Sequence, residues 1–325
     1  MRKALWLALR AVFIVMVAFA PAAFAQTYPA KPVKIYVGFP PGGPSDTSTR
    51  ILAEELSKSL GQPFVIESKP GAGGNIAAQT AARATPDGYT LFAANSGALG
   101  VNPSLYAVLP FDAARDFQPI TLMVVTPMVF MVPAESPVHS LGDLIALLKR
   151  EGVKMNYGTP GIGTLPHIVG EIFKDRAQVK SEHVPYRGTG PMMEGLTSGE
   201  LQWALDSPVA AAGPARSGKV RVIAITAEAR WPTLPDVPTT AEAGLPGLVE
   251  YAWFALVGPA GLPTEIVATL YDASAAALAR PDVIERMINL GLEPKPMTPD
   301  ATAQFMADTR ERWGRVVKEQ GIKVE

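Results

Sequence analysis

Along this chain, short runs of apolar, β-branched residues alternate with stretches of helical period, a pattern that predicts α/β units with parallel strands. Val33 to Val37 reads as a strand, followed by the loop Phe39-Pro40-Pro41-Gly42-Gly43-Pro44. Asp46 to Leu60 reads as a helix: Asp46 is placed to cap it, Leu52, Leu56 and Leu60 share one face, and Gly61 closes it. Phe64 to Glu67 is a second strand. It leads through Gly71-Ala72-Gly73-Gly74-Asn75 into an alanine-rich helix ending near Arg83. After the turn Pro86-Asp87-Gly88, a third strand from Tyr89 to Ala94 ends at Asn95-Ser96-Gly97.

The middle of the chain repeats this grammar. Leu122 to Val132 is strand-like, Leu141 to Arg150 helical, and Met155 to Tyr157 a strand. The loop Gly158-Thr159-Pro160-Gly161-Ile162-Gly163 then runs into a helix capped by Thr164. His183 to Pro185, Leu201 to Leu205 and Val220 to Thr226 read as strands, with Gly188 to Ser198 helical. After a proline-rich passage, Tyr251 to Val257 returns to strand, and three helical stretches finish the chain. The last has Thr298 as cap, Pro299 at its first position and Gly321 as its stop.

The N-terminus carries a different signal. Arg2 and Lys3 precede an apolar run from Ala11 to Ala20, and Ala23-Phe24-Ala25 supplies the small–x–small pattern of a secretory cleavage site. Arg10 leaves the run too short to span a bilayer, so residues 1–25 are expected to be removed after Ala25 and the product to be periplasmic. The remaining 300 residues hold 26 basic and 30 acidic side chains, a net charge of −4. That balance speaks against a nucleic-acid partner or a polybasic lipid binder. A chain of this length buries a large core and divides into two lobes. With no cysteine, disulfides, thiolate metal sites and cysteine nucleophiles are impossible.

The recurrent event is a strand that ends in a Gly-rich loop and opens a helix, at 39–46, 71–76, 95–97 and 158–164. A single Gly-Gly loop is a tight turn, but four with the same placement point to a site. Glycine lets backbone N–H groups approach a ligand closely, and a helix N-terminus offers unpaired N–H donors with partial positive charge. In open α/β sheets such loops gather at the carboxyl ends of the strands, where anions bind. None of these loops contains Lys or Arg, so an anion would be held by amides and hydroxyls.

Competing motifs fail. Ile76 stands where a dinucleotide fingerprint needs its third glycine, and Ala94 where a nucleophile elbow needs its first. No cofactor is expected. His139, His167 and His183 lack metal-ligand spacing, so no metal site is expected either; His167 and Glu171, one helical turn apart, read as a surface or capping pair. Ser96, His167 and Asp206 can be assembled into a triad on paper, with no local support.

The chain resembles, over essentially its whole mature length, the extracytoplasmic receptors of tripartite tricarboxylate transporters, the Bug-type proteins. The resemblance rests on Tyr28-Pro29-Ala30-Lys31-Pro32-Val33 with Gly38-Phe39-Pro40-Pro41-Gly42-Gly43 and Asp46, and on Lys69-Pro70-Gly71-Ala72-Gly73-Gly74-Asn75-Ile76. Thr85-Pro86-Asp87-Gly88-Tyr89-Thr90-Leu91, Val184-Pro185-Tyr186-Arg187-Gly188 and Leu234-Pro235-Asp236-Val237-Pro238-Thr239 add to it. It implies an α/β, type II periplasmic-binding-protein fold, with lobe one from 26–124 plus 249–325 and lobe two from 125–248. A carboxylate ligand would be held between them by Phe39, Gly42, Gly43 and Asp46 of the first loop and by Gly73 and Gly74 of the second. Ser96, then Gly161, Gly163 and Thr164, and finally Asp206 and Ser207 complete the implied set. The same resemblance implies a monomer that closes on a small carboxylate without chemistry and delivers it to a two-subunit membrane permease. The alternatives are a secreted hydrolase or isomerase using the same cleft through Ser96 or Asp206, and a receptor serving a signalling sensor.

Overall fold

A computed structural model describes residues 28–322 apart from 151, 153 and 154. The expected signal segment and its cleavage site lie outside these residues. Eleven strands are present: β1 (Val33–Val37), β2 (Phe64–Ser68), β3 (Thr90–Asn95), β4 (Phe117–Pro127), β5 (Val129–Pro133), β6 (Asn156–Thr159), β7 (Glu182–Pro185), β8 (Trp203–Asp206), β9 (Val220–Ile225), β10 (Tyr251–Pro259) and β11 (Glu293–Pro294). The helices that frame the site are α1 (Pro44–Leu60), α2 (Asn75–Ala82), α3 (Asn102–Leu105), α4 (Leu141–Leu148), α5 (Leu165–Ala177), α6 (Thr189–Thr197) and α7 (Pro208–Arg216). Three more, α8 (Thr264–Leu278), α9 (Pro281–Asn289) and α10 (Pro299–Glu319), finish the chain.

The strands form two sheets, in the orders β11-β4-β10-β3-β1-β2 and β7-β6-β8-β5-β9. In the first, β1 pairs in parallel with β2 and β3, while β10 runs antiparallel to β3 and β4. In the second, β6 pairs in parallel with β7 and β8, while β5 runs antiparallel to β8 and β9. The fold is thus two α/β lobes around a cleft, the architecture of type II periplasmic binding proteins. The central parallel strands are apolar on both faces because helices cover both, which is why they read as continuous runs.

The apolar run expected as one strand from Leu122 to Val132 is two strands in different sheets. β4 ends at Pro127, Met128 lies between, and β5 opens the second sheet at Val129. Every residue from Ile120 to Val132 is buried, so hydrophobicity carries no mark of the change. The chain returns between Ile225 and Tyr251, and Thr226 ties the two crossings together. Its hydroxyl accepts the Met128 N–H (2.9 Å) and donates to the Glu250 carbonyl (2.6 Å). Its own N–H donates to the Met128 carbonyl at 2.9 Å, and its carbonyl accepts the Glu250 N–H at 3.0 Å.

Three helix ends differ from expectation or refine it. Gly43, not Asp46, is the N-cap of α1, because Pro44 fits the first helical position, where its missing N–H costs nothing. Asp46 sits in the first turn, where its Oδ2 accepts the Gly42 N–H at 3.0 Å and pairs with Arg50 Nε at 2.9 Å. Thr164 does stand at the N-cap of α5, but its hydroxyl donates to the Gly161 carbonyl (2.7 Å) instead of capping. Thr298 caps α10 as expected, accepting the Ala301 N–H, and the chain turns left-handed at Gly321 beyond its end.

Replacing Thr226 with valine leaves a buried N–H and a buried carbonyl without their hydroxyl partner. It should lower the unfolding free energy by about 1–3 kcal/mol in urea denaturation, whereas Thr226→Ser should retain most of the stability. Equal stability of the valine variant would contradict the clasp.

Candidate functional site

A cavity of about 50 Å³ lies between the lobes, bounded by the starts of α1 and α5, the ends of β3 and β8, and the crossing strands. Of the residues expected to hold a ligand, Phe39, Gly43, Ser96, Thr164 and Asp206 line it. Met128, Ala252 and Phe254, beside the crossings, form an apolar wall. Phe39 and Pro160 are shared with a second space of about 580 Å³ nearer the surface. Gly73 and Gly161 line this outer chamber, together with Ile76, Tyr106, Ile162 and Arg187.

The other expected residues stand behind the wall. Gly42 gives its N–H to Asp46, whose carboxylate is bound to Arg50; both serve the loop and not the cavity. Ser207 donates its N–H to Asp206 Oδ1 at 2.7 Å. Gly74 and Gly163 are points of close approach: a Cβ on Gly74 would lie 2.5 Å from Asn95 Nδ2, and one on Gly163 2.4 Å from Asn102 Oδ1. The rims meet in the same way. A Cβ on Gly97 of the first lobe would lie 2.6 Å from the Gly163 carbonyl of the second, and one on Gly73 2.8 Å from the Ile162 carbonyl. The cleft is closed through backbone laid on backbone.

Sequence reasoning missed Ser45, Asn95 and Thr189, all on the cavity wall. Ser45 Oγ and Asn95 Nδ2 are buried without a protein hydrogen-bond partner, Asn95 Nδ2 lying against Gly74. Asn95 and Ser45 lay inside the glycine loops already singled out; Thr189 carried no local signal, since it reads as the first residue of an ordinary helix. The α1 and α5 N-termini open on the cavity, at Gly43-Pro44-Ser45 and Thr164-Leu165-Pro166, and α7 begins beside Asp206. Each supplies N–H groups and partial positive charge to an anion. No lysine, arginine or histidine lines the cavity. Asp206 is its one ionisable group; burial pushes its carboxyl up to about 6, against the pull of Thr189 Oγ1 (2.7 Å) and the Ser207 N–H.

Ser96 and Asp206 share the cavity, but His167 does not, so the paper triad is not assembled. His167 accepts the Gly163 N–H at its Nδ1 (3.4 Å) and stacks on His183, ring centroids 4.3 Å apart. His183 bonds Thr159 Oγ1 at 2.7 Å and lies over Tyr157. Glu171, expected as a partner of His167, takes the Tyr157 hydroxyl and the Lys174 ammonium instead. Among the described residues no cluster suits a metal ion, and no helix is long and apolar enough to cross a membrane.

The fold and this cleft, whose inner cavity carries no cationic side chain, are those of a two-lobe solute-binding protein, and comparison with known proteins places it more closely. Residues 48–322 match the model of the tripartite tricarboxylate transporter family receptor, and the chain belongs to that family. Protein BugT of Bordetella pertussis is 35% identical over 98% of both chains. A Rhodopseudomonas palustris protein solved with adipate is 34% identical, covering 91% of this chain and 99% of that one at a TM-score of 0.89. MatC of the same organism, solved with bound malate, is 35% identical over 89% of this chain and 100% of its own, at a TM-score of 0.84. Members of this family are solute-binding receptors and not enzymes.

Burial holds His167 and His183 at about 4 and about 3, far below the ordinary imidazole value, so both are neutral at pH 7. Their stabilisation is present above about pH 6.5 and is lost as pH falls towards these values, by about 1.4 kcal/mol per pH unit for each. Asp206 has the opposite sign: its raised pKa returns one such slope below about pH 6. Urea denaturation should therefore give a lower unfolding free energy at about pH 5 than at about pH 7.5. His183→Gln should flatten the profile; a level profile in the native protein would contradict the buried imidazole pair.

Proposed function

We propose that this protein is a periplasmic receptor that captures a small organic carboxylate by closure of its two lobes and delivers it to a two-subunit membrane permease. The observation that carries the reading is the cavity itself: helix N-termini, buried hydroxyl and amide donors, and no cationic side chain. A carboxylate fits such a site through amide and hydroxyl hydrogen bonds, with charge supplied by helix ends. Adipate and malate in relatives similar along nearly their whole length support the same ligand class.

In this reading the lobe expected from 26–124 and 249–325, whose sheet reaches on to Pro127 in β4, moves against the lobe expected from 125–248, with the Thr226 clasp as hinge. Phe39, Gly43, Ser96, Thr164 and Asp206 contact the ligand with Ser45, Asn95 and Thr189. Gly42, Asp46, Gly74, Gly163 and Ser207 hold the loops that present them, while Gly73 and Gly161 border the chamber that admits longer acids. Residues 1–25 direct export and are cleaved after Ala25, and the receptor works as a monomer. The ligand drives closure only through contacts it makes better in the closed state.

The test is a thermal-shift titration of the mature chain from Gln26 with malate, adipate, aromatic carboxylates and their amides. An acid at about 100 times its dissociation constant stabilises the fold by ~2.7 kcal/mol, moving the midpoint by about 4 °C for a chain of this size. The acid should shift the midpoint and its amide should not. Gly97→Ala, which props the rims apart, should abolish the shift while the variant stays folded. No shift with any carboxylate, in protein free of co-purified ligand by mass spectrometry, would overturn the reading.

A further inference from the structure

Asp206 places a carboxyl group in a cavity whose other buried polar groups suit an anion. It ends β8, is 2% exposed, and is held by the Thr189 hydroxyl and the Ser207 N–H, both at 2.7 Å. No cation lines the cavity. The elements packed against β8 supply none that acts on it: β5 has no ionisable residue, and Tyr157 of β6 bonds Glu171 of α5. On α5, Lys174 is bound to Glu171, His167 is neutral, and Asp175 and Arg176 face solvent. Glu194 of α6 is exposed, and Asp46 of α1 is paired with Arg50. Among the described residues, what acts on the Asp206 carboxyl is thus its own burial, which raises it, and the neutral hydrogen-bond donors of Thr189 and Ser207, which oppose that.

The helix ends that open on the cavity each bring about half a positive charge, little more than one anion's worth together. A ligand carboxylate and an ionised Asp206 in a space of about 50 Å³ would put two negative charges side by side in a site with low polarisability. Like-charged carboxylates at such separations do not both stay ionised; one takes a proton.

We propose that this receptor binds its carboxylate together with one proton, carried by Asp206, so that ligand and Asp206 share a single negative charge across one hydrogen bond. The proton comes from solvent, adds to a carboxyl oxygen of Asp206 and points at the ligand oxygen. Thr189 and Ser207 keep their hydrogen bonds, since a protonated carboxyl retains acceptor sites. Burial has already moved Asp206 part of the way, to about 6. Affinity is then greatest below about pH 6 and falls by up to about tenfold per pH unit above it, until the pKa of the occupied site is reached. The inference rests on the carboxylate-receptor reading and adds to it the protonation state of the captured pair.

The test uses acetate, a carboxylate small enough to leave the outer chamber free, and glycine, which adds an ammonium group. The Asp206 carboxyl carbon is followed by ¹³C NMR through a pH titration in chloride, acetate and glycine at equal high concentration. It is assigned by its loss in Asp206→Asn, or through the Ser207 amide if that variant does not fold. Acetate should raise the Asp206 midpoint by at least about one pH unit over chloride. An unmoved midpoint overturns the proposal, as does a midpoint lowered by glycine with acetate inert, which would give Asp206 an ammonium partner. The two readings fail separately. A carboxylate panel without a hit, beside an acetate-raised Asp206, sinks transport of those acids and leaves the shared proton; a hit beside an unmoved Asp206 sinks the proton alone.

Discussion

Thr226 is the knot through which both lobes communicate. Its hydroxyl and its backbone bind Met128 on one crossing and Glu250 on the other, with four hydrogen bonds in a fully buried setting. An unpaired polar group at this depth is costly, so the geometry tolerates little drift. Met128, Ala252 and Phe254 adjoin the knot and also form the apolar wall of the cavity. In the proposed reading, hinge and floor of the site are the same few residues, so a change in the angle between the lobes would reshape the cavity.

The opposite side of the cleft obeys a different constraint, that of approach. The rims touch where Gly97 faces the Gly163 carbonyl and Gly73 the Ile162 carbonyl, at separations that leave no room for a side chain. The loop through Gly163 also feeds α5, so one glycine-rich rim segment brings a helix N-terminus to bear on the enclosed space. In the proposed reading, closure and anion binding thus depend on one feature of the backbone. In that reading an anion in the inner cavity needs no arginine or lysine beside it: dipoles fixed in the fold need no reorganisation, and water is excluded when the rims meet.

Behind α5 the second lobe is stiffened by a pile of rings. Tyr157 stacks on Trp203 at 4.4 Å, Trp203 on Phe130 at 5.9 Å, and His183 bridges Tyr157 and His167. Trp203 and Phe130 belong to the strands that carry Asp206 and leave the hinge, while His167 grips the Gly163 N–H. The stack joins the cavity acid, the rim glycine and the crossing in one rigid body. It is also the reason that neutral imidazoles, and not metal ligands or a catalytic base, occupy this position.

Much of this protein is local and was therefore readable in the sequence. Strand β1, the helix begun by the Pro/Gly loop, the Thr298 cap and the Gly321 stop follow from periodicity and from backbone preferences that act over a few residues. The family motifs around four glycine loops likewise pointed to a solute receptor, which the family match bears out. What the sequence left open depends on contacts between residues far apart along the chain. The switch at Met128 is hidden in a run that is apolar from end to end, because both sheets bury it equally. Asp46 reads as a cap or a ligand contact until Pro44 and Arg50 are seen to claim the cap position and the carboxylate. Thr189 gains its place on the cavity wall only because β8 brings Asp206 beside it. Propensity acts along the chain, but a cavity is defined by what faces across it, and only the packed lobes decide that.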